Sequence, residues 1–484
     1  MVSKPLVHSL HALSAQAQMQ KNILLTNGHI VDPVNNREGV MDVLIGQGII
    51  LNVQPSIRPP RKTVRIDLRD KIIVPGIIDI HVHLHYKYNV AICMLAKAGI
   101  TTALDFAGLS DYVSTNFHRY SPLLNIGTLN PLWPGLTLSS SRCGRSEIIR
   151  VINQSLEHGA LGVKIIGGHY PLSTATTRNI IQYANSLNAY IAWHAGTLAT
   201  PLPFPAFLQA IQIAEDSPLH LAHINSYCRG ASHNAMEEAW QAIRLLGQHP
   251  NIKSDSYLSA INGTSGKCVH GKPASKVTCR ELKHSHYSPD RQGLQKAIYD
   301  GIAPVCKTIN NSNQLVGGDE GVSYWKKRNT AVWVSFRVNP SINAIALAMH
   351  KNNDGRHTVT TLSTDGGFFP RNSIVHLGTP LTRYADFRLS DFVMKTSVNP
   401  AALLGLHTKG HIGIDADADL TVLDMHHYEP YMTIVGGNIV MREGQIVGAG
   451  GRFIITDQAI PRFKRKGWDV TVADMSHSLL YDSV

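Results

Sequence analysis

The chain has 484 residues, 43% of them hydrophobic and 16% charged, with a net charge of +11. A chain of this size and composition buries a large core, and it contains no run of about 18 apolar residues to span a membrane, so a soluble protein is expected. Its basic residues are dispersed except at Arg462–Lys466, which reads as a solvated C-terminal tail, so neither a nucleic-acid nor a membrane partner is expected. The six cysteines, Cys93, Cys143, Cys228, Cys268, Cys279 and Cys306, form no Cys-x-x-Cys pair, which favours reduced thiols and a cytoplasmic location.

Residues 1–21 carry Lys4, His8 and His11 without a continuous apolar stretch and read as an N-terminal extension, not a secretory signal. Short alternating runs follow at 22–28 and 43–48, and comparable runs return at 419–424 and 435–440. Two β-rich ends, 22–71 and 408–455, predict one small β-sandwich-like domain. The aspartates of 415–419 read as turn and cap residues. Residues 456–484 are left as a C-terminal tail.

Between these ends, Ile72–His85 is an apolar β-branched run broken by Pro75-Gly76, and it delivers His81, His83 and His85 at every second position. Alternation along a strand places these imidazoles on one face, two of them suited to grip one metal ion. Further strand-like runs carry or end in polar groups: Lys164 within 161–166, His194 after 189–193, His220 and His223 in 219–223, and Asp365 after 358–364. Helix-like stretches lie at 176–187, 235–247 and 342–350. Strands alternating with helices, each strand end offering a ligand, predict an α/β fold: a (β/α)8 TIM-type barrel over 72–407 with its site on the C-terminal face.

A long excursion separates a seventh strand, 253–258, from the last one. Its Gly-rich stretches, Asn262–Lys267 and Gly317–Gly321, mark surface turns or a lid over the mouth, and Asn262 is a candidate substrate contact. They make no phosphate loop, because Gly266-Lys267 is followed by Cys268.

This ordered set resembles the amidohydrolase superfamily, over about residues 22–450, in particular its two-metal branch of dihydroorotases, hydantoinases and D-aminoacylase relatives. The resemblance implies that His81 and His83 on strand 1, Lys164 on strand 4, His194 on strand 5, His223 on strand 6 and Asp365 on strand 8 hold two divalent ions, zinc or a similar metal. Neutral imidazoles suit such ions, whereas two neighbouring cations need an anionic bridge. A lysine has no acceptor, so Lys164 serves only as a CO2-derived carbamate. His223 is preferred to His220 because it lies nearer the strand end, and His220 is expected to pack between barrel and helices.

The resemblance further implies an amidohydrolase acting on carbon–nitrogen bonds other than peptide bonds. It would cleave a cyclic amide, a ureide or an N-acyl amino acid with a metal-bridging hydroxide, Asp365 serving as general base and then acid. The alternatives are a deaminase of the same barrel or a non-catalytic binding module. Lys164 argues against the first and the complete ligand set against the second. A small, anionic amide is the expected partner, in a homo-oligomer, with Arg229, preferred to Arg371 because it follows His223 closely, taking its carboxylate, Ser226 and Tyr227 adding hydrogen bonds, and His85 a further substrate contact. Dihydroorotases carry arginine where His85 stands and histidine where Gly366 stands, whereas Asp365-Gly366-Gly367 followed by Pro370-Arg371-Asn372 looks closer to the D-aminoacylases.

Overall fold

The computed structural model describes residues 22–200, 203–384 and 386–482; the N-terminal extension read from residues 1–21 lies outside them. Nine strands follow one another around the central sheet. They are β1 (Ile77–His83), β2 (Ile100–Asp105), β3 (Asn125–Leu132), β4 (Gly162–Ile165), β5 (Tyr190–Trp193), β6 (Leu219–Leu221), β7 (Ile252–Ser256), β8 (Thr361–Leu362) and β9 (Gly366–Gly367). All pairings from β1 to β7 are parallel.

The eighth barrel position is split. Its first half, β8, pairs with β7, and its second half, β9, pairs with β1, so the ring closes through a single segment interrupted at Ser363-Thr364-Asp365. Asp79 of β1 staples this closure, accepting the Thr364 hydroxyl at 2.5 Å and the Thr364 N–H at 3.2 Å. Burial pushes the Asp79 carboxyl up to about 7. Helices cover the outside, and Thr174–Ser186 and Ala235–Gln248 fall where their periodicity places them.

The small sheet is built from both ends of the described chain, with one adjustment to the boundary read from sequence. Ile72–Pro75 belongs to this sheet rather than to the barrel. It pairs antiparallel with Leu420–Asp424 and parallel with Ile23–Asp32, which stitches the two ends together. Gly76 marks the passage into β1, where a Cβ would stand 2.3 Å from the Thr101 hydroxyl. Asp417 and Asp419 clasp buried Lys409 at 2.8 and 2.5 Å, consistent with structural turn residues.

The C-terminal segment differs from the solvated tail read in its charges. Phe453–Ile455 pairs with β3 and with Val470–Val472, and Phe453, Ile454, Ile455 and Phe463 are fully buried. Ile454, Met475 and Leu480 pack with Ile78, Ile80, Leu104, Leu129 and Tyr190 into one apolar cluster. The apolar residues between the basic ones decide the outcome, because their burial outweighs what the charges gain from water.

The long excursion is a compact unit of its own. Thr264–Ser265, Trp333–Val334, Val305–Ile309 and Ser312–Val316 form a four-stranded sheet, backed by the helices Lys276–His284, Arg291–Tyr299 and Gly318–Lys327. Its core holds Leu282, Leu294, Ile298, Val305 and Trp325. The unit leans on the barrel mouth through Asn313, which donates to the Phe368 carbonyl, and through Lys87, which donates to Thr308. All six cysteines are free, and among the described residues no helix is long and apolar enough to cross a membrane.

One buried cation away from the site gives a test of this packing. Lys395, in the π-helical turn Met394–Val398, is fully buried, and its Nζ donates to the Val359 carbonyl at 2.5 Å. Burial drives its ammonium down to about 7, opposed by Asp391. The unfolded chain keeps an ordinary lysine, so between about pH 7 and pH 10 it binds more protons than the native state, and stability rises with pH across that window. Lys395→Met is therefore expected to flatten the rise in Tm from pH 7 to pH 10, measured against the parent by thermal unfolding.

Candidate active site

The polar ends of β1, β4, β5, β6 and the β8–β9 break converge at the mouth. His83 Nε2 lies 2.8 Å and His81 Nε2 3.5 Å from Asp365 Oδ1. The ring centroids of His81 and His223 are 5.1 Å apart, and those of His194 and His223 4.5 Å apart. Burial pushes the His81 imidazole down to about 4 and holds His194 and His223 well below their usual range, so all three are neutral donors at physiological pH.

Lys164 ends this cluster. It is 4% exposed, its Nζ has no hydrogen-bond partner, and it sits 4.3 Å from the centroid of the Phe106 ring, which itself stacks on His81. Burial drives its ammonium down to about 7 against the opposing pull of Asp255 and Asp365. A buried amine without a partner is costly as a cation. The donor set of neutral imidazoles, one carboxylate and one orphaned amine beside them fits divalent metal ions with an added anionic bridge at Lys164.

Two of these residues stand in strained backbone. His223 has φ 38° and Asp365 φ 49°, both in the left-handed region that a non-glycine residue adopts at a cost of about 1–3 kcal/mol. The His223 N–H donates to Asp255 at 2.9 Å, and Ser226 Oγ lies 2.6 Å from His223 Nδ1. Arg371 donates from Nε to the Asp365 carbonyl at 2.6 Å and pairs with its carboxylate at 2.6 Å. Burial alone would raise Asp365, but Arg371, His81 and His83 override it and hold the carboxyl well below the usual range. Gly167, at the exit of β4, is required here: with φ 50°, its Cβ would lie 1.5 Å from the His194 carbonyl oxygen.

The other sequence-derived contacts divide by position. Arg229 is half-buried and its Nε donates to Asn339 Oδ1 at 2.8 Å, leaving its terminal amino groups unassigned. Arg371 is committed to Asp365. Ser226 braces His223 directly, and Tyr227 Oη accepts the Ala195 N–H at 2.8 Å, next to His194 in the chain. Asn262 is buried and accepts the Phe336 N–H at 2.9 Å, clasping the base of the excursion rather than turning to the mouth. His85 lies next to His83, with ring centroids 5.7 Å apart and a buried Nδ1 that has no partner.

Sequence reasoning passed over Asp255 on β7. Fully buried, it accepts from His81 Nδ1 at 3.2 Å and His220 Nε2 at 2.8 Å, besides the His223 N–H and the Ser363 hydroxyl. His220 therefore differs from its expected place between barrel and helices: it bridges Asp255 and the Tyr190 hydroxyl at 2.6 Å. The available signal was a carboxylate in the middle of a strand-like run, Lys253-Ser254-Asp255-Ser256, that ends at the barrel mouth. Asn339, which orients Arg229 and donates to Tyr257 Oη at 3.1 Å, was also missed.

Barrel and site together define the class: a (β/α) barrel with a histidine, lysine and aspartate cluster at the C-terminal ends of its strands. Comparisons with known proteins point the same way. Residues 335–440 match the Amidohydrolase family model. The chain is 23% identical over 437 residues to a dihydroorotase of Syntrophus aciditrophicus, covering 83% of this chain and 89% of the relative. Its fold matches the dihydropyrimidinase of Brevibacillus agri with a TM-score of 0.57 at 17% identity, covering 89% and 98% of the two chains. It matches the N-acyl-D-glutamate deacylase of Bordetella bronchiseptica, solved with zinc and a phosphonate inhibitor, with a TM-score of 0.62 at 14% identity, covering 90% and 99%. The chain is similar over residues 335–440 to the amidohydrolase family, resembles dihydroorotases along most of its length, and shares its fold with hydantoinases and D-aminoacylases.

Asp255 fixes His81 and His220 by charge as well as by shape, so Asp255→Asn keeps the volume and removes the charge. The expected result is retained circular dichroism with metal affinity about 10–100-fold weaker, read by metal content after dialysis. Unchanged metal affinity would leave Asp255 a packing group only.

Proposed function

We propose that this protein is a metal-dependent hydrolase of a carbon–nitrogen bond in a cyclic amide or ureide, or in an N-acyl amino acid. Lys164 carries the reading: a buried amine with no partner, beside neutral imidazoles, has no structural purpose as it stands, and a carbamate derived from CO2 gives it one. Related proteins named as dihydroorotase, dihydropyrimidinase and N-acyl-D-glutamate deacylase support the bond type. A deaminase has no requirement for an anionic bridge at this position, and a binding module has none for the whole cluster.

In this reading His81, His83, carboxylated Lys164, His194, His223 and Asp365 hold two divalent ions, for which the nitrogen-rich donor set suits Zn2+. Such ions supply Lewis acidity, which polarises the amide carbonyl and acidifies water. The chain does the rest. Asp365, kept ionised by Arg371, accepts the proton of the attacking water at its carboxylate and returns it to the leaving nitrogen. Arg229, braced by Asn339, presents its free amino groups to a substrate carboxylate in a fork that a lysine does not offer.

The test compares the parent with two variants, each incubated with excess metal, on hydantoins, dihydropyrimidines and N-acyl amino acids. The parent is expected to turn over at least one class. Asp365→Asn should keep fold and most metal while losing about 100-fold or more in kcat. Lys164→Ala should lose metal and activity together, with partial recovery of both on adding a short carboxylic acid. An unmodified ammonium at Lys164 beside two occupied metals would overturn the carbamate.

Arg229 gives a separate expectation. Arg229→Met should raise KM about tenfold or more for a substrate bearing a carboxylate and leave KM for an uncharged analogue near the parent value. Equal losses on both would assign Arg229 to structure.

A further inference from the structure

One side of the mouth is walled by aromatic rings contributed by five segments distant in sequence. From His83 the rings lead outward. His85 comes first; Tyr86 lies 3.9 Å from His85, and Trp333 and Phe368 stand 5.1 and 4.8 Å from Tyr86 and 5.3 Å from each other. Tyr170, past β4, lies 4.3 Å from Trp133, past β3, and directly follows His169, whose ring stands 5.3 Å from that of His194. Trp333 belongs to the excursion, so that unit contributes to the wall.

Contact between excursion and barrel accounts for Phe368, 5% exposed, and for half-buried Trp333. It does not account for Tyr86 and Tyr170. Each is 38% exposed and backed by other rings. At the inner end, beside the ligand His83, His85 keeps a buried Nδ1 without a partner. The wall thus begins at the reacting centre with one free polar atom and ends in open, rigid rings. Aromatic faces with few rotatable bonds are suited to hold another planar ring by offset stacking or edge contact.

We infer that the substrate amide bears an aromatic side group, which this wall receives, with Arg229 taking a carboxylate where the substrate carries one. The chemical class is therefore an N-acylated aromatic amino acid or an aryl-substituted cyclic ureide. This inference rests on the hydrolase reading of the same site, and it assigns Tyr86, Tyr170 and Trp333 to specificity rather than to catalysis.

The experiment uses matched pairs on the metal-loaded full chain: N-acetylphenylalanine against N-acetylalanine in both D and L forms, and 5-benzylhydantoin against 5-methylhydantoin. The expected result is a kcat/KM at least about tenfold higher for the aromatic member, expressed mainly in KM. Tyr86→Ala and Tyr170→Ala should bring this ratio towards one, and Tyr86→Phe should retain it. Binding is read independently of turnover, as quenching of tryptophan fluorescence by 5-benzylhydantoin and 5-methylhydantoin, with the benzyl compound expected to bind about tenfold tighter. Turnover without an aromatic preference overturns this inference and leaves the hydrolase reading standing. Aromatic-selective binding that both alanine variants lose, with no turnover of any pair, sustains the wall and overturns the hydrolase reading. A preference that survives in both alanine variants overturns the wall.

Discussion

A carboxylate sealed from water holds the centre of this molecule together. Asp255 is fully buried, and a lone ion in that position would be prohibitively unfavourable; it is tolerated because four groups from three other strands converge on it. Burial would raise its carboxyl, and the imidazoles of His81 and His220 reverse this, holding it well below the usual range. Each of these contacts also sets the direction of a neighbour. His81 is turned so that Nδ1 meets Asp255 and Nε2 meets Asp365, and His223 is fixed through its backbone N–H. A metal site needs ligands whose second nitrogen is already engaged, and here one acid does this for β1 while anchoring the backbone of β6.

The same economy closes the barrel. Its eighth position is divided so that one half reaches β7 and the other β1, and the break between them carries Ser363, Thr364 and Asp365. Each of the three is used: Ser363 on Asp255, Thr364 on Asp79, and Asp365 on His83 and Arg371. Left-handed backbone at Asp365 is the local cost of turning a strand residue into the mouth, and the ion pair with Arg371 helps offset it. The Asp365 carboxylate is thus supported on both sides by the closure of the fold.

Around this centre the excursion between β7 and β8 gives the mouth its chemical character. It packs as a unit with its own core, is clasped at its base by Asn262, and presents Trp333 to the rings of the β1 and β9 loops. Asn339, at its return to the barrel, orients Arg229 from the other direction. One inserted segment therefore contributes Trp333 to the aromatic rings at the mouth and Asn339 to the orientation of Arg229.

The local pattern of the chain was enough to read the barrel, the small sheet and the order of candidate ligands. Alternating apolar residues mark strands, 3.6-residue periodicity marks helices, and a polar group at the end of an apolar strand stands out against it, as at His81, His83, Lys164, His194, His223 and Asp365. Sequence did not disclose Asp255, because its partners lie 32 to 174 positions away, and an isolated aspartate in a strand looks the same whether it binds one histidine or four groups. Sequence preferred Arg229 to Arg371 from its position beside Ser226 and Tyr227, but what folds against each, Asn339 in one case and Asp365 in the other, is visible only in the tertiary structure. The C-terminal segment teaches the same lesson, since its charges are local while the apolar cluster that buries Ile454 and Leu480 exists only once the barrel strands are assembled. The sequence determined which elements form and which residues they offer; the tertiary structure decided their partners, because burial and charge neutralisation depend on neighbours that only the folded chain brings together.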